Sequence, residues 1–203
     1  MLRHASLALL AQQSYSGPQT LQVAGDVRAD ITEYTTEVVV ACPGTHPSDL
    51  QDWIRDVRAF PSYFKKLGFC HSGFGSGGID LWAKLKDQLP KDKLVTYTGH
   101  SLGGALAQVL AALHVAEMKQ TCRVVTFGAP RVPFMLNRSF KKRAKMLTDS
   151  VGYQRSGDPV PEMPTWPFYY HPIKTKKVGV RVFDPIENHS ISRYAADLAA
   201  LNL

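Results

Sequence analysis

Apolar, β-branched runs alternate along the chain with segments of helical periodicity. Five runs read as strands: Glu37–Cys42 (EVVVAC), Leu94–Thr98, Arg123–Phe127, Ser150–Arg155 and Val178–Phe183. A run such as EVVVA, with no polar alternate, suits a sheet covered on both faces. Helical spacing appears over 2–13, over 47–58 and over 102–119. In the second of these, Leu50, Trp53, Ile54 and Val57 follow i, i+3, i+4, i+7, opposite a charged face. In the third, Leu106, Val109, Leu110 and Leu113 form the apolar stripe of an amphipathic helix. ISRYAADLAALNL closes the chain with another helix-like pattern. The alternation predicts an α/β fold with a central, mostly parallel sheet and helices on both faces. The stretch 158–172 carries too many prolines for an α-helix and predicts an ordered loop. No internal repeat interrupts this order, so residues 1–203 read as one domain.

Composition narrows the picture only slightly. Hydrophobic residues make up 44% and charged residues 20%, which is globular rather than disordered. Cys42, Cys70 and Cys122 are odd in number and lack metal-ligand spacing, so buried reduced thiols are expected, with no metal and no cofactor. The apolar stretch Leu7–Ala11 is shorter than the core of an export signal and ends at Gln12-Gln13. A cytoplasmic location as synthesised is the expectation, with secretion left open. A net charge of +7 favours anionic partners. Its densest stretch holds Arg138, Lys141, Lys142, Arg143 and Lys145, which would suit peripheral contact with an anionic membrane. No pattern of basic and aromatic residues suggests a nucleic-acid groove.

The chemistry concentrates in TYTGHSLGGALAQ. A strand runs into Ser101 and a helix runs out, with Gly99 and Gly103 two residues to either side. A sharp strand-to-helix turn lifts the serine oxygen above the sheet, and side chains two residues away on either side would collide. A serine hydroxyl needs a base, and on such sheets the order is serine, carboxylate, histidine. His114, His171 and His189 follow Ser101. His114 falls within a helix, and His171 in the proline-rich loop. His189 sits between a strand and a helix-like stretch, so it is the expected base, with His171 as the alternative. Asp158, just past a strand end, is the expected carboxylate, and Asp184 the alternative. The N–H of Leu102 and the N–H and hydroxyl of Thr45, after strand EVVVAC, could serve an oxyanion.

With EVVVACPGT and DWIRDV, HSGF at 71–74, GHSLGGALA, VVTFGAPRV, SGDPVPEMP and NHSISRY in this order, the chain resembles the class 3, fungal-type lipases. Pro43 and Pro133 stand where members of that family commonly carry arginine and glycine. The resemblance implies an α/β-hydrolase fold and the hydrolysis of lipid esters, of the triacylglycerol lipase or phospholipase A type. It implies Ser101, Asp158 and His189 as triad, Thr45 and Leu102 as oxyanion donors, and the helix of Leu50, Trp53, Ile54 and Val57 as a lid over the acyl pocket. A short-chain carboxylesterase or thioesterase is the alternative activity. A non-catalytic lipid-binding protein is a third reading.

Overall fold

The computed structural model describes residues 1–18, 20–23, 27–45, 60–164 and 167–203. Among them, α1 (His4–Gln13), β1 (Leu21–Gln22), β2 (Arg28–Glu33) and β3 (Glu37–Cys42) come first. A hairpin of β4 (Pro61–Phe64) and β5 (Gly68–His71) leads into α2 (Ser72–Leu85). Then come β6 (Leu94–His100), α3 (Leu102–Met118), β7 (Arg123–Phe127), α4 (Arg138–Ala144), β8 (Val151–Arg155) and β9 (Thr175–Val178). The chain closes with α5 (Pro185–His189) and α6 (Ile191–Ala200).

The main sheet has strand order β1-β2-β3-β6-β7-β8-β9. β1, β2 and β3 pair antiparallel, and every pairing from β3 to β9 is parallel. Side chains alternate between two cores, which explains the continuous apolar strands. Val40 and Cys42 of β3 and Val124 of β7 pack with α2 and α3. Val39 of β3, with Val125 and Phe127 of β7, packs with α1 and α6. Helices therefore cover both faces, and β3, β6 and β7 end together at one edge, where Cys42 pairs with Gly99.

Two expectations change. The helix α3 is not amphipathic: Gly103 to Val115 are all buried, because α2 covers the side turned away from the sheet. The last strand is Thr175–Val178, not Val178–Phe183. Gly179 (φ +67°) breaks the extended run, and Val180 and Phe183 are exposed. β9 is an edge strand that pairs only with β8, so its lysines Lys176 and Lys177 can face water. Among the described residues of the proline-rich stretch there is no α-helix, and a 3₁₀ turn spans Val160–Glu162. All three cysteines are free and buried, and burial pushes each thiol up to about 12.

Candidate active site

Ser101 stands between β6 and α3 with φ 55° and ψ −127°, a conformation L-residues rarely hold. Its neighbours force the turn. A Cβ on Gly99 would lie 2.4 Å from the Gly103 carbonyl, and one on Gly103 would lie 2.0 Å from the Cys42 carbonyl oxygen. These are backbone contacts that cannot move aside, so both positions require glycine. Leu102 opens α3, where N–H groups have no intrahelical carbonyl partner and the helix dipole is positive. Thr45 follows the end of β3. Thr45, Ser101 and His189 line one cleft of about 530 Å³.

His189 ends the short helix α5, whose start is fixed by Pro185 and by the Asp184 carboxylate accepting the Ile186 N–H at 2.8 Å. Asp184 is thus a helix cap. His189 Nδ1 instead lies 2.8 and 2.9 Å from the two carboxylate oxygens of Asp158. A carboxylate only accepts, so Nδ1 carries a proton and the neutral ring presents Nε2 as an acceptor. Asp158 is held in turn by the Val160 N–H at 2.9 Å and by the Tyr194 hydroxyl, which donates at 2.6 Å. His189 Nε2 and Ser101 Oγ are both buried, and neither has a hydrogen-bond partner among the described residues. They are a vacant acceptor and an unused donor on the same cleft.

The other two histidines have structural partners. His171 Nε2 lies 2.8 Å from the Pro161 carbonyl, beside the Gln154 amide. His114 is buried against the Tyr97 hydroxyl at 2.9 Å, and burial lowers it to about 4. The helix expected over 47–58, with Leu50, Trp53, Ile54 and Val57, falls outside the described residues.

Three residues at the site have no clear signal in the sequence. The His100 ring packs on His189 with centroids 4.4 Å apart. Tyr15, just after α1, meets His100 Nδ1 at 2.7 Å. Tyr194 bridges Asp158 and the Arg155 N–H. Only His100, adjacent to the serine, and Tyr194, within NHSISRY, lie in stretches that the motifs single out.

A model of the family Lipase (class 3) matches residues 39–168. A Caenorhabditis elegans lipase is 32% identical over 145 residues, covering 66% of this chain and 40% of that protein. The secreted mono- and diacylglycerol lipase 3 of Gibberella zeae is 27% identical over 181 residues, covering 77% of this chain and 56% of the relative. The chain thus spans about half the length of these curated relatives. A relative named as secreted leaves the expected cytoplasmic location without support. Among solved structures, the native propeptide complex of Rhizomucor miehei lipase is 20% identical, with TM-score 0.63 over 86% of this chain and 66% of its own. Non-glycosylated LIP2 lipase of Yarrowia lipolytica is 20% identical, with TM-score 0.65 over 91% and 82%. The fold is that of the α/β-hydrolase lipases.

Proposed function

The chain belongs to the class 3 lipase family, and from that premise we propose that it is a serine hydrolase of lipid esters in which Ser101, His189 and Asp158 act as nucleophile, base and orienting acid. The observation that carries this reading is the His189–Asp158 pair, with a vacant Nε2 on the same cleft as the unpartnered Ser101 hydroxyl. His189 Nε2 takes the Ser101 proton as Oγ bonds to the ester carbonyl carbon. The resulting oxyanion is met by the N–H of Leu102 and by Thr45, each such donor worth about 3 kcal/mol of barrier. Collapse breaks the bond to the alcohol, which leaves with the proton from His189. Water, deprotonated by the same nitrogen, then releases the acid and restores Ser101. Every proton moves between Ser101, His189, substrate and water, so the chemistry requires no cofactor.

Asp184 and Glu187 line this cleft; Glu187 is ion-paired with Arg193, and the exposed Asp184 carboxylate disfavours an anionic phosphate there. A neutral acylglycerol is therefore the better substrate class, in keeping with the name of the Gibberella relative. Hydrolysis of p-nitrophenyl esters of short and long acyl chains tests the reading, with Ser101→Ala as control. Turnover that disappears in Ser101→Ala, while far-ultraviolet circular dichroism is unchanged, is the expected result. Undiminished turnover in that variant would remove Ser101 from its role. Preference for short acyl chains would instead favour a carboxylesterase.

A peripheral membrane contact belongs to the same reading. Arg138, Lys141, Lys142 and Lys145 are exposed, and Arg143 is partly buried. Helix α4 starts directly after exposed Met135 and Leu136. The Asn137 amide ties that start to the Leu67 and Phe69 carbonyls of the hairpin, whose Tyr63 and Phe69 are exposed too. Basic and apolar side chains side by side fit an anionic bilayer, at about 1 kcal/mol per basic residue near the surface. Co-sedimentation with phosphatidylserine vesicles should fall steeply in Lys141→Glu/Lys142→Glu and at high salt. Binding indifferent to both would rule the contact out.

A further inference from the structure

Three segments distant in sequence converge behind Ser101. His100, the residue before it, is buried at the wall of the cleft. Its Nε2 lies 2.6 Å from the backbone carbonyl of His189, and its Nδ1 lies 2.7 Å from the Tyr15 hydroxyl. The Tyr15 hydroxyl also packs closely on the backbone of Gly44, in the loop that carries Thr45. Gly44 has no space for anything larger: a Cβ there would meet the Tyr15 hydroxyl at 2.4 Å, the His100 carbonyl oxygen at 2.7 Å and Ser101 Cβ at 3.0 Å.

The proton positions follow from the partners. A carbonyl only accepts, so His100 Nε2 must carry a hydrogen. Burial, and the adjacent His189, hold the His100 ring neutral well below the usual imidazole range. A neutral ring has one N–H, so Nδ1 accepts and the Tyr15 hydroxyl donates. The bonds therefore run in one direction, from Tyr15 O–H to His100 and from His100 Nε2–H to the His189 carbonyl.

We infer that Tyr15 and His100 are positioning residues: through this directional pair of bonds, and through the close packing of Tyr15 and His100 on Gly44, they hold the Gly44–Thr45 loop, the backbone on the N-terminal side of Ser101 and the backbone of His189 in one fixed arrangement. Asp158 orients the His189 ring from the side chain, and His100 fixes the same residue from the backbone. The loop carrying the proposed oxyanion donor and the base thereby share a tie to the segment following α1. Both rings line the cleft beside Ser101, but their polar atoms are bonded to each other and to the His189 carbonyl, and the inference rests on the catalytic reading of Ser101 and His189.

The test uses Tyr15→Phe, which keeps the ring and removes only the hydroxyl. On p-nitrophenyl esters its kcat should fall by about ten- to a hundredfold, the scale on which small misplacements act. KM should stay within about twofold, since the Tyr15 ring that lines the cleft is kept and only its hydroxyl, bonded to His100, is removed. A kcat within about twofold of the parent protein would overturn the inference. A second measurement does not depend on turnover. In 15N-histidine spectra, His100 should remain a single neutral Nε2–H tautomer from about pH 5 to 8, as a fully buried imidazole can. In Tyr15→Phe, the low-field Nδ1–H signal of His189 should broaden as the ring loses its fixed backbone. A titrating His100, an Nδ1–H tautomer, or an unchanged His189 signal in Tyr15→Phe would each overturn the inference. Absence of Ser101-dependent turnover in the parent protein would count against the proposed activity, and the spectra would still decide the hydrogen-bond chain.

Discussion

Asp158 is the residue on which most local bonds converge. Its carboxylate takes the His189 Nδ1–H, the Val160 N–H and the Tyr194 hydroxyl. Asp158→Asn would keep the shape and let the amide hold the wrong tautomer of His189. In serine hydrolases built this way that change lowers kcat by about four orders of magnitude, and steady-state kinetics should show a loss on that scale here. An unaltered rate would point to a different acid. Tyr194→Phe separates structure from chemistry. It removes the 2.6 Å donor to Asp158 and leaves the buried Arg155 N–H, 2.8 Å from that hydroxyl, without its acceptor. The cost should be about 1–3 kcal/mol in urea unfolding; a variant as stable as the parent would mean that water replaces the hydroxyl. Ser101 and Asp158 were legible in the sequence because each follows the end of a strand, a local property. His189, at the end of a short helix, was legible as the histidine between the last strand and the final helix. Tyr194, His100 and Tyr15 were not. Their partners lie 36, 89 and 85 residues away, and only the closed fold brings them within bonding distance.

At the level of elements, the sequence identified β3, β6, β7 and β8, missed β1 and β2 on the antiparallel side of the sheet, and misplaced β9 at the other edge. β3 and β7 run as expected from end to end, since burial on both faces demands an uninterrupted apolar run. β9 is paired on one side only, so its lysines gave no strand signal, and the apolar run chosen instead lies beyond the break at Gly179. The helix α3 shows the converse error. Its all-round burial depends on α2, whose glycine-rich first half, SGFGSGG, carries little helix signal of its own. That glycine content has a use at the contact between α2 and α3. A Cβ on Gly78 would sit 2.3 Å from Cγ1 and 2.9 Å from Cβ of Val109, which is completely buried and stiff about χ1. Two effects of Gly78→Ala then compete. Helix propensity gains up to about 1 kcal/mol, while overpacking of a rigid core costs about 1–3 kcal/mol. Destabilisation should win, and Val109→Ala in the same chain should relieve it, so the double variant should be more stable than the sum of the two singles. Additive chemical denaturation data would show that the helices simply move apart.

Across the whole molecule, the response to acid follows from which groups are buried uncharged. Burial lowers His114 to about 4 and His100 well below its ordinary value, and it also lowers His4 and His171. An unfolded chain would protonate all four near pH 6.5. As pH falls through 6.5, the unfolded state takes up protons that the folded state refuses, so folding stability decreases. The contribution is complete above pH 6.5 and is withdrawn on the way down, for His114 until about pH 4. Each of the two buried rings, His100 and His114, should remove up to about 1.4 kcal/mol per pH unit in that window. The urea midpoint should therefore hold steady from about pH 8 to 7 and drop steeply between about pH 6 and 5. His114→Gln leaves an acceptor for the Tyr97 hydroxyl and removes one titrating group, so its curve should be measurably shallower. A midpoint equally flat from neutral to mildly acidic pH would mean that these rings protonate in place. In that case His100 would donate from both nitrogens, Tyr15 could only accept, and the one-way chain of hydrogen bonds behind Ser101 would have to be abandoned with it.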